Sequence, residues 1–212
     1  MNTAIVGLGN IGSKVARNLT VGGQSVVVAD KTLAKAESLA GKLGGKATVM
    51  LIDQAISKAD VIILAIYFDA IKDLIMTHRG ALAGKIIVDP SNPIAPDGKG
   101  GFKKTIPADQ SSGQIIAGLL PEGAELVKAF GTLGADSLAA GANRSPERAV
   151  LFYATDYPEA GRVVAALIAA SGFSPVRVGG IDQSIRIEVG GDLHEFGKVG
   201  KLVSAREAEA LV

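Results

Sequence analysis

MNTAIVGLGNIGSKVARNLTVGGQSVVVAD, residues 1 to 30, is the stretch that decides the fold. Ala4 to Val6 reads as a short buried strand, and the glycines of Gly7-Leu8-Gly9-Asn10-Ile11-Gly12 follow it at once in the pattern GxGxxG. Ile11, Val15 and Leu19 then recur every four residues, which places one apolar stripe on a helix. Gly22-Gly23 ends that helix, and Ser25 to Ala29 (SVVVA) reads as a second strand. Strand, glycine turn, helix and strand make a βαβ unit, the context in which GxGxxG carries meaning. Gly7 permits a tight turn, Gly9 lets the backbone approach a pyrophosphate, and Gly12 lets the helix lie close to the strand. The helix N-terminus adds free N–H groups and a partial positive charge.

Working outward, the alternation continues. Leu33, Ala36, Ala40 and Leu43 predict one face of a second helix, stopped by Gly44-Gly45, and Thr48 to Leu51 a third strand. Val61 to Ile66 (VIILAI) and Lys85 to Val88 (KIIV) are continuous apolar runs, as expected of strands covered on both faces. A short helix is predicted over Ala70 to Ile75. Pro90, Pro93 and Pro96 with Gly98, Gly100 and Gly101 predict an irregular loop over residues 89 to 105. Helices at Ser111 to Leu119 and Pro158 to Ser171 alternate with strands at Glu125 to Phe130, Ala149 to Ala154 and Pro175 to Val178. Ser204 and Glu207 make a capping box for a terminal helix. The expectation is an α/β protein with a doubly wound, Rossmann-like, mostly parallel sheet: residues 1–180 form a nucleotide-binding domain. Residues 181–212 form a C-terminal appendage that packs on that domain or on a dimer partner.

Composition narrows the partners. The 212 residues carry 22 Lys+Arg against 21 Asp+Glu, so no overall field holds a polyanion, and a nucleic-acid partner is not expected. With no cysteine, thiolate metal sites and a Cys nucleophile are excluded, and no metal site is read elsewhere. The longest apolar run, Val61 to Phe68, is far short of the ~18 residues of a membrane span. Because MNTAIVGLGN enters a strand without a leader-like pattern, a cytoplasmic location is expected. Glycine, 27 of 212 residues or roughly 13%, stands well above the usual ~7%.

Asp30 ends the second strand 18 positions after Gly12, where a carboxylate commonly accepts the ribose 2′-hydroxyl and favours NAD; it could equally cap the next helix. Lys31 and Lys35 point the other way. At ~5 Å and an effective dielectric of ~20, one unit charge near a 2′-phosphate is worth roughly 3 kcal/mol, so charge alone does not choose between NAD and NADP. Ala65, Ile66 and Tyr67 end the fourth strand, and Asp89 to Pro93, with Asn92 and Pro93, follow the fifth. Ligands of open α/β sheets lie off those ends, so both stretches face the nicotinamide half, although Tyr67 and Phe68 could simply pack in the core. No side chain stands out as catalytic. His194, in DLHEF, is expected to be a capping or surface histidine, and His78 a partner of a helix C-terminal dipole.

With GLGNIG, IIVDPSNP, LVKAFGTLGADSL and VVAALIAASGFSPVRVGGIDQSIRIE in that order, the chain resembles the F420-dependent NADP oxidoreductase family over essentially its whole length. It is also similar to the nucleotide domain of pyrroline-5-carboxylate reductases. The resemblance implies a small reductase passing a hydride between NADP and a deazaflavin coenzyme. It implies that Leu8, Gly9, Asn10 and Ile11 hold the pyrophosphate and that Ala65, Ile66 and Tyr67 run along the nicotinamide ribose. Relatives typically read Ser-Arg where this chain has Asp30-Lys31, and His or Asn where it has Gly131. The expected activity is therefore NAD(P)H-dependent reduction of a small-molecule deazaflavin or flavin-like acceptor, with a homodimer as the expected assembly. The alternative is a non-catalytic nucleotide sensor.

Overall fold

The computed structural model describes residues 1–212. Its first half runs β1 (Thr3–Val6), α1 (Asn10–Val21), β2 (Val26–Ala29), α2 (Leu33–Lys42), β3 (Ala47–Val49), α3 (Ile52–Lys58), β4 (Val61–Leu64), α4 (Phe68–Leu82) and β5 (Ile86–Asp89). A hairpin of β6 (Ile94–Pro96) and β7 (Phe102–Lys104) follows, then α5 (Ser112–Leu119), β8 (Glu125–Lys128), α6 (Ala135–Ala140), β9 (Val150–Ala154), α7 (Pro158–Ala170) and β10 (Ser174–Gly179). A 3-10 turn, Ile181–Gln183, leads into α8 (Ser184–Ile187), and the chain ends with α9 (Ala205–Glu209).

Eight strands form one sheet in the spatial order β10-β9-β8-β5-β4-β1-β2-β3. From β3 across to β8 every neighbour is parallel, so the order β3-β2-β1-β4-β5-β8 is the doubly wound arrangement expected. β9 joins β8 antiparallel, and β10 lies parallel to β9. Alternate side chains of each central strand enter opposite layers. Ile5, Ile63, Val88 and Val127 pack with Val15 and Leu19 of α1 and Val164 and Ile168 of α7. Val6, Ile62, Leu64 and Ile87 pack with Ile56 of α3, Ile71 and Ile75 of α4 and Ile116 of α5. Residues beyond Gly179 return across β9, where Ile187, Leu193, Val203 and Ala208 cover Val150, Phe152 and Ala154.

Several expectations are corrected. The Pro/Gly stretch after β5 contains the antiparallel β6–β7 pair, because its prolines sit at edge positions where no ladder N–H is needed. The helix expected over Ala70 to Ile75 begins at Phe68 and ends its first segment at His78 (φ −112°, ψ 17°), as expected of that residue, with a second helical segment continuing across the kink to Leu82. His78 faces Asp53 at 3.6 Å. In α2, Leu33 is exposed and Leu39 packs against the core in its place. The short helices α3 and α6, at seven and six residues, span too few turns to show a period. The capping box of Ser204 and Glu207 is present at α9.

Candidate functional site

β1 lies between β2 and β4, so the connections on its two sides leave in opposite directions and open a crevice at its C-terminal end. Gly7 turns there with φ +89°, its N–H donating to the Ala29 carbonyl at 2.8 Å. A Cβ at Gly7 would meet the Ala65 carbonyl oxygen at 2.6 Å, and one at Gly12 would reach the Ala65 Cβ at 2.9 Å and overlap the Gly7 carbonyl. Both glycines are thus demanded by the protein's own packing. Gly9 is different: its φ is −71°, which any residue adopts, and a Cβ there would meet nothing within 4 Å. It is the N-cap of α1, where glycine is preferred to alanine, but no packing contact needs it; a pyrophosphate lying on the loop would, because it needs the backbone bare. Beyond it, Asn10, Ile11 and Gly12 open the 12-residue α1, and their N–H groups have no partner within the helix. The side-chain amide of Asn18 donates to the Leu138 carbonyl at 2.9 Å and fixes α1 against α6.

Asp30 braces this loop. One carboxylate oxygen accepts the Leu8 N–H at 2.8 Å, the other accepts the Thr32 N–H at 3.0 Å, and Lys35 approaches to 3.5 Å. Burial alone would raise the Asp30 pKa. The two backbone N–H groups and the Lys35 charge outweigh it and hold the carboxyl below its ordinary value. Lys31 is exposed and forms no ion pair beside it.

On the other side of β1, Ala65 and Ile66 touch the loop, whereas Tyr67 is 87% exposed and belongs to no core. Phe68, next to it, is the residue that packs inside. Asn92 stands apart from the loop. Its amide N–H donates to the Gly131 carbonyl (3.0 Å) and its carbonyl accepts the Val189 N–H (2.7 Å), so the side chain ties the end of β5 to the C-terminal segment. Pro93 is buried, and its carbonyl accepts the Thr105 N–H at 2.8 Å. Gly131 is required where it stands, since a Cβ would come within 2.5 Å of the Pro90 carbonyl oxygen. A cavity of about 410 Å³ lies beside the loop, lined by Asn10, Lys14, Gly134, Asp136, Ser137 and Phe196 among others.

Sequence reasoning missed a buried charge cluster behind this crevice. Lys128, at the end of β8, donates to Asp89 (2.7 Å), to the Ser91 carbonyl (2.5 Å) and to the Ser112 hydroxyl (2.7 Å), with Glu188 at 3.9 Å. Glu188 in turn accepts the Ser112 and Gly113 N–H groups at the start of α5. A lysine closing a buried strand, ELVK, was the available signal, because such a charge must find a carboxylate. Two buried hydroxyls nearby in sequence, Ser91 Oγ and Thr132 Oγ1, have no hydrogen-bond partner. His194 is not at the surface. It is 1% exposed, Nε2 faces the Gly131 carbonyl at 3.0 Å and Nδ1 accepts the Phe196 N–H at 2.9 Å. Burial pushes its pKa down, against the opposing pull of the Gly131 carbonyl and Glu195. No group of three His, Cys, Asp or Glu side chains is placed to hold a metal, and no helix is long and apolar enough to cross a membrane.

Comparison with known proteins agrees with this geometry. A family model described as NADP oxidoreductase, coenzyme F420-dependent, matches residues 2–93. A hypothetical protein of Sinorhizobium meliloti, SMa0349, shares 32% identity over 96% of this chain and 95% of its own, with a TM-score of 0.84. An Arthrobacter sp. FB24 protein, provisionally described as an F420-dependent NADP reductase, shares 21% identity over 87% of each chain, TM-score 0.72. Pyrroline-5-carboxylate reductase of Coxiella burnetii shares the fold at 15% identity, covering 88% of this chain and 62% of that one, TM-score 0.61. No protein of curated function matches the sequence.

Proposed function

Given that the chain belongs to the F420-dependent NADP oxidoreductase family, we propose that it binds NADP(H) along the Gly7–Gly12 loop and exchanges reducing equivalents with a flavin-like or deazaflavin acceptor beside Asn10 and Phe196. The observation that carries this reading is Gly9, whose missing side chain serves no turn and no packing contact of the protein. Leu8, Gly9, Asn10, Ile11 and Gly12 supply the pyrophosphate seat. The free N–H groups at the start of α1 and the positive end of its dipole offset the phosphate charge.

At the adenosine end, the engagement of both Asp30 oxygens supports NADP(H) over NAD(H). The carboxylate's charge is offset by Lys35 and its acceptor positions are directed at Leu8 and Thr32, which leaves Lys31 for a 2′-phosphate. Ala65 and Ile66 form the wall behind the nicotinamide ribose, and the unpartnered Ser91 and Thr132 hydroxyls suit a polar group at the far side. Asn92 and Pro93 act through the backbone they hold rather than by contact.

A nicotinamide bound there would supply a hydride, a transfer that calls for positioning rather than for a side-chain acid or base. The residues of this chain accordingly position and exclude water. Phe196, 61% exposed at the rim of the 410 Å³ cavity, offers a face on which a planar ring can stack. The test is NADPH oxidation in the presence of a deazaflavin coenzyme, FMN, FAD or ferric chelate. Acceptor-dependent turnover with at least one ring compound is expected. Tight NADPH binding with no turnover across the panel would leave a nucleotide sensor and refute the reductase.

A further inference from the structure

Phe196 reaches the rim of the cavity on a tight turn, residues 194–197, closed by the Gly197 N–H donating to the His194 carbonyl at 2.8 Å. Three bonds hold this turn to the segment that leaves β8. The Glu195 N–H donates to the Thr132 carbonyl at 3.2 Å, the Glu195 carboxylate accepts the Gly134 N–H, and His194 Nε2 meets the Gly131 carbonyl at 3.0 Å. The Phe196 ring then lies on the bare backbone of Gly134, where an added Cβ would come within 2.9 Å of its Cζ.

The two partners of the His194 ring fix its protonation. Gly131 offers a carbonyl, so Nε2 carries a hydrogen; Phe196 offers an N–H at 2.9 Å, so Nδ1 is bare. Only the neutral ring with its hydrogen on Nε2 satisfies both. A proton on Nδ1 would set donor against donor around a side chain that is 1% exposed. The Gly131 carbonyl is anchored, since it also accepts from the Asn92 amide at 3.0 Å, whereas Phe196 is 61% exposed and is the partner free to move.

The charged groups that face the ring are Glu195 on its own turn and Lys128 at the end of β8, the latter answered by Asp89 and Glu188. Asp192, two residues before His194, is paired with Arg186 at 2.8 Å, and Lys14 of α1 and Asp136 of α6 line the cavity beside Phe196. Burial keeps the ring neutral most strongly and the Lys128 charge adds to it, against the Gly131 carbonyl and Glu195, so protonation sets in below the ordinary 6.5.

We propose that His194 is a positioning residue: its neutral ring holds Phe196 at the rim of the cavity, and a proton on Nδ1 releases Phe196 and weakens the hold on the acceptor ring. The inference rests on the reading of that cavity as the acceptor site. Loss of one aromatic contact corresponds to a two- to tenfold effect, as an order of magnitude.

The experiment follows the histidine nitrogen resonances and the Phe196 amide by NMR in the whole protein between about pH 7.5 and 5, beside initial rates of NADPH oxidation with a deazaflavin coenzyme, FMN, FAD and ferric chelate. His194 is expected to carry its hydrogen on Nε2 at the upper end. As it protonates, the Phe196 amide should shift with the same midpoint and the KM for the ring acceptor should rise about two- to tenfold, with a smaller change in kcat. General unfolding would instead lower the apparent kcat at constant KM. His194→Asn, whose Oδ1 stands where Nδ1 stood, should keep the Phe196 bond and the low KM throughout, while His194→Gln, which reaches only toward Gly131, should show the raised KM throughout. A hydrogen on Nδ1 at neutral pH, a Phe196 amide or a KM indifferent to His194 protonation, or folded Asn and Gln variants with the same KM would overturn the proposal. If the Phe196 amide follows His194 and no ring compound is reduced, the reductase reading fails and the hold of His194 on Phe196 stands. If turnover is present and both amide and KM ignore His194, the positioning role fails and the reductase stands.

Discussion

Replacing Gly9 by alanine separates a ligand-dictated glycine from a structural one, with Gly7 as its control. At Gly9 the new methyl meets no protein atom within 4 Å and φ is −71°, so the folded state is unstrained. The unfolded chain loses freedom, worth about 0.4–1 kcal/mol, but alanine is a poorer N-cap for α1 than glycine by a similar amount, so the two nearly cancel. At Gly7, φ +89° and a methyl 2.6 Å from the Ala65 carbonyl oxygen combine backbone strain with collision, a loss of about 3 kcal/mol. For a chain of this size 1 kcal/mol moves Tm by about 2–4 °C, so Gly9→Ala should melt within about 2 °C of the natural protein and Gly7→Ala about 6–12 °C lower. Ligand then separates Gly9→Ala from the natural protein. NADPH at ~100 times its Kd stabilises the natural protein by about 2.7 kcal/mol, and a tenfold weaker Kd at the same concentration leaves about 1.4 kcal/mol. Differential scanning fluorimetry with and without NADPH reads both effects. If Gly9→Ala keeps the full NADPH-induced shift, the pyrophosphate does not lie on that backbone. If it melts like Gly7→Ala, Gly9 is structural and its surroundings are not open.

Three further outcomes follow from the same contacts. Lys128→Met leaves Asp89 and Glu188 buried without their cation and should destabilise the fold by about 3–5 kcal/mol in urea denaturation, whereas a loss under 1 kcal/mol would show that the cluster is hydrated. Asp30→Ser removes a negative charge beside the place assigned to the 2′-phosphate and should raise the ratio of NADPH to NADH affinity by about five- to tenfold in fluorescence titrations. An unchanged ratio would place the 2′-phosphate elsewhere. His194 has a folded pKa below the ordinary 6.5, so the unfolded chain takes up the proton first: stability is fully present above pH 6.5 and falls as pH drops below it, by up to about 1.4 kcal/mol per pH unit. Melting curves between pH 5 and 7.5 should show this slope, and His194→Gln should flatten it.

How much of this was legible in the sequence depended on how local each cause is. The Gly7–Gly12 loop, the stripe on α1 and the apolar strands β4 and β5 announce themselves because period and glycine spacing are properties of neighbouring residues. The β6–β7 hairpin was hidden by its prolines, which read as breakers until an edge position excuses them. Asp30 could be placed at the end of β2, but its bond to the Leu8 N–H, 22 residues away, depends on how the loop folds back. The Lys128–Asp89–Glu188 cluster joins residues 39 and 60 positions apart, and His194 lies against the Gly131 carbonyl from 63 positions away. No spacing rule reaches that far. These contacts depend on residues beyond Gly179 folding back across β9, a return that an alternation of strands and helices does not specify.

Titrating the protein with NADPH and with NADH and following nicotinamide fluorescence reads out whether the Gly7–Gly12 loop is a dinucleotide seat that serves NADP(H). Saturable binding of one NADPH per chain, tighter than NADH and weakened at least about tenfold by Gly9→Ala, is the expected result. Absence of saturable binding up to millimolar NADPH, or binding indifferent to Gly9→Ala, would contradict it.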